Sequence, residues 1–206
     1  MGTTISSPPR RPLIGLGACL LNLMFMIVLA YLIAAAFGPR PLWAAAQDGQ
    51  PWVLQIAWGV SIGFAVAIPV WMTVLKVEAL GAFKRQMLEL VQRADLHSLN
   101  PLWFALCAGI GEEMLARGAL QPLVGIWWTS LGFTIAHYRT GSFRSMNPTK
   151  WGYAASVFLA SAVMGYVMIE FGLIAAIVSH AVADLYGLLV LRGESCKPTL
   201  AQANGS

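Results

Sequence analysis

The sequence predicts an all-α, polytopic membrane helical bundle, with about six transmembrane helices and one amphipathic interfacial helix in a single integral-membrane domain over residues 1–206. Composition is the first observation behind this: 58% of the residues are hydrophobic and only 11% are charged, a balance no soluble domain of this size carries. The second is a series of apolar runs long enough to cross a bilayer, set apart by proline, glycine and charge. The third is the placement of lysine and arginine, which alternates from one connecting segment to the next. The net charge of +4 is scattered between apolar runs rather than gathered in a stripe, so no nucleic-acid partner is expected. Cys19, Cys107 and Cys196 lie far apart without a CxxC pair, which implies neither a disulfide nor a thiolate metal site.

Residues 1–12 form a polar arm with Pro8, Pro9 and Pro12. The apolar run 13–37 is longer than the core of a secretory signal and has no small-residue cleavage site, which favours an uncleaved first helix. Met1-Gly2 with Ser6 also fits a myristoylation pattern, but one so short arises by chance. Residues 38–51 read as a loop, and 52–75 as a second span kinked at Pro69. Over 76–100, charges at Lys76, Glu78, Lys84, Arg85, Glu89, Arg93 and Asp95 interleave with Leu80, Phe83, Met87, Leu90 and Val91 at helical spacing. That pattern predicts an amphipathic helix on the cytoplasmic membrane surface, a rim or gate for whatever lies above it. Residues 101–124 form a third span and 123–138 a fourth. A polar loop follows, then a fifth span from Trp151 to Phe171, a sixth over 173–191, and a tail over 192–206. Residues 101–191 hold the functional helices. Trp43, Trp52, Trp103 and Trp151 fall near segment ends, as interfacial tryptophans do.

Six spans place both termini on one side. The inner segments then hold Arg10, Arg11, Lys76, Lys84, Arg85, Arg93, Arg139, Arg144, Lys150, Arg192 and Lys197, while the outer loops hold only Arg40. Cytoplasmic loops carry such an excess. The expectation is an integral protein of the cell's inner or plasma membrane with both termini cytoplasmic.

Charge inside the spans is the informative anomaly. An ionisable side chain at bilayer depth costs about 2.5 to 3.5 kcal/mol, and such residues pair with one another and mark functional sites. Glu112, Glu113 and Arg117 fall together in the third span. Glu113 and Arg117 are spaced i,i+4 and share a helix face, whereas Glu112 is rotated about 100° away. The arginine therefore pairs with Glu113 as a structural support, and Glu112 is aimed at something else. His137 lies four residues after Phe133 in the fourth span, and His180 four before Asp184 in the sixth, so that imidazole and carboxylate share a face. His97, beside Asp95 on the amphipathic helix, reads as a solvated surface residue, Phe133 as a packing neighbour of His137, and Glu170 as an interfacial charge. Polar residues in spans often serve only as interhelical glue worth about 1 kcal/mol each. Glu112, Glu113, Arg117, His137, His180 and Asp184 together cost on the order of 10 kcal/mol before pairing, more than packing requires.

Two chemistries fit these side chains. One is metal binding, with Glu112, His137, His180 and Asp184 of types suited to zinc or iron, though no HExxH is present. The other is metal-free hydrolysis. Glu112 takes a proton from a water also held by His137, the water attacks a peptide carbonyl, His180 donates to the oxyanion, and Asp184 fixes the tautomer of His180.

In this order, on successive late spans, Glu112-Glu113-x-x-x-Arg117, Phe133-x-x-x-His137 and His180-x-x-x-Asp184 resemble the motifs of the CPBP family of intramembrane proteases, the CAAX-prenyl-endopeptidase and bacteriocin-processing group. The resemblance covers roughly residues 99–191; the first two spans and the tail match nothing in it. It implies a helical membrane bundle that cleaves peptide bonds of a membrane-associated protein or peptide. It also implies a glutamic-type site, sometimes described as a metalloprotease. By position, Glu112 and His137 look like the water-activating pair and His180 with Asp184 like the oxyanion side. Asp184 departs from the asparagine of the prenyl-protein branch. An ionised aspartate cannot donate to an oxyanion, so it is either protonated or orients His180, which weighs against a prenylated substrate more than against a protease. Two alternatives share the residues: a non-catalytic membrane immunity or scaffold protein, and a zinc-dependent membrane hydrolase. A transporter is disfavoured, because no second half mirrors the first.

Overall fold

The computed structural model describes residues 14–77, 80–137 and 148–195. The polar arm, Glu78, the loop with Tyr138, Arg139 and Arg144, and the tail beyond Ser195 with Cys196 and Lys197 lie outside the described residues, as do the side chains of Phe83, Leu90 and Lys150. Every named element among the described residues is helical: α1 (Leu16–Phe37), α2 (Leu42–Ala45), α3 (Trp52–Lys76), α4 (Gly81–Val91), α5 (Asn100–Glu113), a π-helical segment (Met114–Leu120), α6 (Gln121–His137), α7 (Pro148–Phe171) and α8 (Leu173–Ser195).

Among the described residues four helices are long and apolar enough to cross a membrane: Leu16–Phe37, Trp52–Lys76, Trp151–Phe171 and Leu173–Ser195. They coincide with the expected first, second, fifth and sixth spans. The expected third and fourth are one helical run from Asn100 to His137, interrupted at Gly125, whose φ of 80° and ψ of 172° are non-helical. After that break α6 continues for roughly three turns, about 18 Å, well short of a hydrocarbon core of about 30 Å. Its described end at His137 therefore falls partway through the bundle. The second span runs through Pro69 as one helix, and the Thr73 hydroxyl donates to the Pro69 carbonyl at 2.8 Å.

The bundle is built around α8, which α3 and α5 grip from two sides. The grip depends on small residues. A Cβ at Gly59 would lie 2.7 Å from Val178 Cβ, and one at Gly63 would lie 2.7 Å from Val182 Cβ and 2.8 Å from the Ser179 carbonyl oxygen. Gly109 of α5 meets the Ile177 carbonyl and Ala181 in the same way. Gly59, Gly63 and Ala67 thus form a small-xxx-small stripe that lets the α3 and α8 backbones touch, the usual solution where lipid supplies no hydrophobic drive between helices. Gln55 fixes the start of α8. Its Oε1 accepts the Ile174 and Ala175 amides at 3.0 and 3.3 Å, satisfying orphan donors of a helix N-terminus, while its Nε2 donates to the Asp48 and Gln50 carbonyls at 2.9 and 2.7 Å.

α1 runs parallel to α5. Leu23 and Met26 pack over Gly111, and four residues earlier on both helices the thiols of Cys19 and Cys107 lie beside each other, within hydrogen-bonding reach. Cysteines remote in sequence thus meet in space. The amphipathic helix is shorter than expected, 11 residues, and its apolar side is packed rather than lying loose: Met87 and Val91 are buried in one cluster with Leu96 and Leu191, against which Tyr153 packs. Lys84 pairs with Glu194 at the end of α8, and Arg192 reaches the Leu96 and Ser98 carbonyls at 3.4 and 3.3 Å. His97 is exposed, as expected.

Candidate active site

Three elements bring the polar residues together. Glu112 and Glu113 close α5, and Arg117 sits in the π-helical segment that follows. His137 ends α6, and His180 and Asp184 lie in the first half of α8. π-Helical turns are frequent at functional sites, and this one begins directly after the two carboxylates.

Glu113 and Arg117 are both fully buried and paired at 3.0 Å between Oε2 and Nε. A second guanidinium nitrogen donates to both the carbonyl and the hydroxyl of Ser161 on α7, each at 2.8 Å, and the guanidinium carbon lies 5.7 Å from the Phe133 ring centroid. Arginine's planar fork suits this multiple engagement. Ser161 could not be singled out from sequence, since one hydroxyl in an apolar span has no partner spacing to betray it.

The other oxygen of Glu113 reaches across to α8, where Oε1 lies 2.7 Å from Nδ1 of His180. A carboxylate bonded this way accepts, so Nδ1 carries the proton. Glu113 thus bonds one ring nitrogen of His180, a contact between helices that the i,i+4 spacing of His180 and Asp184 did not suggest. Asp184, two-fifths exposed, lies 3.5 Å from the opposite nitrogen, Nε2. His180 therefore faces the cavity with Nε2, while Nδ1 is held from behind.

Glu112 points the other way from Glu113, as the spacing required. Its Oε2 lies 3.9 Å from Nε2 of His137 and 3.8 Å from Nε2 of His180, and it has no direct hydrogen-bond partner among the described residues. Nδ1 of His137 lies 3.0 Å from the Phe133 carbonyl. A carbonyl only accepts, so this bond puts the proton on Nδ1 and leaves Nε2 as an acceptor toward Glu112. Phe133 packs on His137 with ring centroids 4.4 Å apart and meets His180 edge-on at 6.3 Å. His137, expected near the inner end of its span, is thus at the depth of Glu112. A cavity of about 210 Å³ joins Glu112, His137, His180 and Asp184 with Tyr153 and Ser161 of α7. Tyr153 was not singled out in the sequence, because a tyrosine near a span end reads as an interfacial anchor.

A metal ion needs several donors converging on one point at bonding distance. Among the described residues no three or more His, Cys, Asp or Glu side chains are grouped to hold one.

Fold and site together define a helical membrane protein with a buried glutamate and histidine centre. Residues 96–186, somewhat less than half of the chain, match the family model described as Rce1-like, type II CAAX prenyl endopeptidase. The matched segment carries all six of the polar residues above, while α1 and α3 lie outside it. No curated protein and no solved structure matches the chain.

Proposed function

We propose that the protein is an intramembrane endopeptidase that hydrolyses a peptide bond of a membrane-associated protein or peptide. The observation that carries this is the unpartnered Glu112 Oε2, set 3.9 and 3.8 Å from the Nε2 atoms of His137 and His180. Those separations are too long for direct hydrogen bonds and suit a bridging water. Glu112 takes a proton from that water while His137 Nε2, its tautomer set by the Phe133 carbonyl, accepts the other hydrogen bond. The water oxygen bonds to the carbonyl carbon, and the carbonyl electrons move to the oxygen. On collapse the C–N bond breaks, and the amine leaves with the proton that Glu112 received. Nε2 of His180 is the group placed for the oxyanion. That role requires a proton on Nε2, and the carboxylates of Glu113 and Asp184 compensate the resulting charge.

On this reading the run from Asn100 to His137 supplies the third and fourth membrane passages. Lys76, Lys84, Arg85, Arg93 and Arg192 gather where α3 and α8 end, whereas Arg40 pairs with Asp48 at the opposite end. The positive-inside rule then puts the first end in the cytoplasm.

The test is a terminal-peptide mass-spectrometry comparison of source-cell membranes carrying wild type or Glu112→Ala at equal level. New protein ends confined to the wild type, and persisting in excess chelator, support metal-free proteolysis. Ends lost to chelator and restored by zinc favour the metal-dependent hydrolase. Identical ends in both membranes, with biological activity surviving Glu112→Gln, favour the scaffold role.

A further inference from the structure

Beside the cavity that holds His180 lies a second one. It occupies about 290 Å³ between α1 and α6, with Asn22 and Met26 on one wall, Thr129, Gly132, Phe133 and His137 on the other, and Glu112 at its floor with Leu115 and Leu120. Glu112 and His137 border both cavities, so the pair assigned to water activation forms the wall between them. Leu120, Thr129 and Gly132 also border a shallow depression that continues over Val124 and Trp128, and Trp128 is 69% exposed on the outer face of the bundle. The cleft that reaches Glu112 and the depression on the lipid-facing surface thus share the edge formed by Leu120, Thr129 and Gly132.

Thr129 is the second observation. It is 3% exposed, yet its hydroxyl has no hydrogen-bond partner among the described residues. Hydroxyls in membrane helices normally bond the carbonyl four residues back, as Thr134 does to Ser130 and Thr73 to Pro69, both at 2.8 Å. For Thr129 that residue is Gly125, where the chain leaves helical geometry, so the usual partner is turned away. A buried polar group without a partner costs about 1 to 3 kcal/mol, and a lipid tail in the cleft would leave that cost standing. A peptide main chain relieves it.

We propose that the α1/α6 cleft holds the substrate on one side of the scissile bond, as an extended apolar peptide segment. Its side chains lie against Met26, Leu115, Leu120 and Phe133, and its main chain bonds to the Thr129 hydroxyl. This rests on the endopeptidase reading. The substrate reaches the site sideways from the bilayer, with the bond to be cut carried over Glu112 and the remainder passing into the cavity of Tyr153 and Asp184. The α4 helix, packed against the end of α8, is not the gate on this route.

Gly132 makes the test clean, because a Cβ there would meet nothing within 4 Å. A leucine at this position fills the cleft rather than the core. Gly193, equally open but at the far end of α8, takes the same substitution as a control. The terminal-peptide comparison is run on membranes with wild type, Glu112→Ala, Gly132→Leu, Gly132→Ala, Thr129→Val and Gly193→Leu at matched abundance. Expected is a loss of about tenfold or more in Glu112-dependent ends for Gly132→Leu, since small misplacements at a reacting centre cost up to about a hundredfold. Smaller losses follow for Gly132→Ala and Thr129→Val, none for Gly193→Leu, and the ends share an apolar stretch beside the cut. Undiminished ends from both Gly132→Leu and Thr129→Val overturn the cleft assignment and leave the endopeptidase standing. Ends lost in Gly132→Leu but without a shared apolar stretch overturn peptide occupancy in favour of a lipid chain. No Glu112-dependent ends in any membrane remove the endopeptidase reading and this inference with it.

Discussion

Nδ1 of His180 and Oε1 of Glu113 meet at 2.7 Å between α8 and α5, and the second oxygen of the same carboxylate holds Arg117 at 3.0 Å. One fully buried side chain thus neutralises the arginine and orients the histidine. Glu113→Gln should leave the guanidinium undercompensated and destabilise the protein by about 3 to 5 kcal/mol, the range for breaking one side of a buried ion pair. Thermal unfolding in detergent measures this. Adding Arg117→Met should recover most of the loss without restoring cleavage; a double variant no more stable than Glu113→Gln would show that the pair is not what holds these helices.

Glu112 presents the opposite balance. Its Oε2 has no direct hydrogen bond to lose, so Glu112→Gln should unfold at or above the wild-type temperature. Cleavage should nevertheless fall by about 10² to 10⁴-fold, the usual contribution of a general base. Initial rates on a substrate identified from the terminal peptides, read beside the melting curve, separate the two effects.

Space at glycines differs sharply along the chain. At Gly63 a Cβ would press into Val182 and the Ser179 carbonyl. Gly63→Leu should therefore cost at least about 1 to 3 kcal/mol through overpacking and lower activity as well, because the residue after Ser179 is His180. Melting temperature and cleavage rate should fall together there, whereas Gly132→Leu should lower the rate alone.

The parallel register of α1 and α5 is open to a covalent check. Cys19 and Cys107 are within hydrogen-bonding reach, so mild oxidation of membranes should yield a linked peptide pair joining these two residues in digests. Its absence, with both thiols still alkylatable, would count against the register. Cys107→Ser should abolish the linked pair.

Much of the centre was legible in the sequence, because intramembrane charge is costly and helical spacing fixes what shares a face. Glu113 with Arg117, and Glu112 turned away from them, followed from position alone. What spacing cannot express is a contact between helices. His180 and Asp184 at i,i+4 read as a ring and its orienting carboxylate, but the carboxylate that reached Nδ1 came from another helix, 67 residues away in the chain. Ser161 and Thr129 were invisible for the same reason, since each matters through a neighbour or the lack of one. Gly125 misled differently. The stretch around it read as an ordinary boundary between two spans, and only the backbone angles of Gly125 show a helix that breaks, resumes and reaches His137 at the depth of Glu112. The stripe Gly59, Gly63 and Ala67 was readable in principle, and its meaning became clear once α8 was found against it.

That stripe bears on how the chain can be divided. The family match begins at residue 96, whereas the surface that seats the His180 helix belongs to α3, at residues 52–76, and Gln55 of the same helix caps the start of α8. A fragment starting at residue 96 would possess every side chain of the proposed site and still lack the wall against which one of its histidines is set. The proposed chemistry is local to the matched segment, but the ability to fold around it is shared with the helices that precede it.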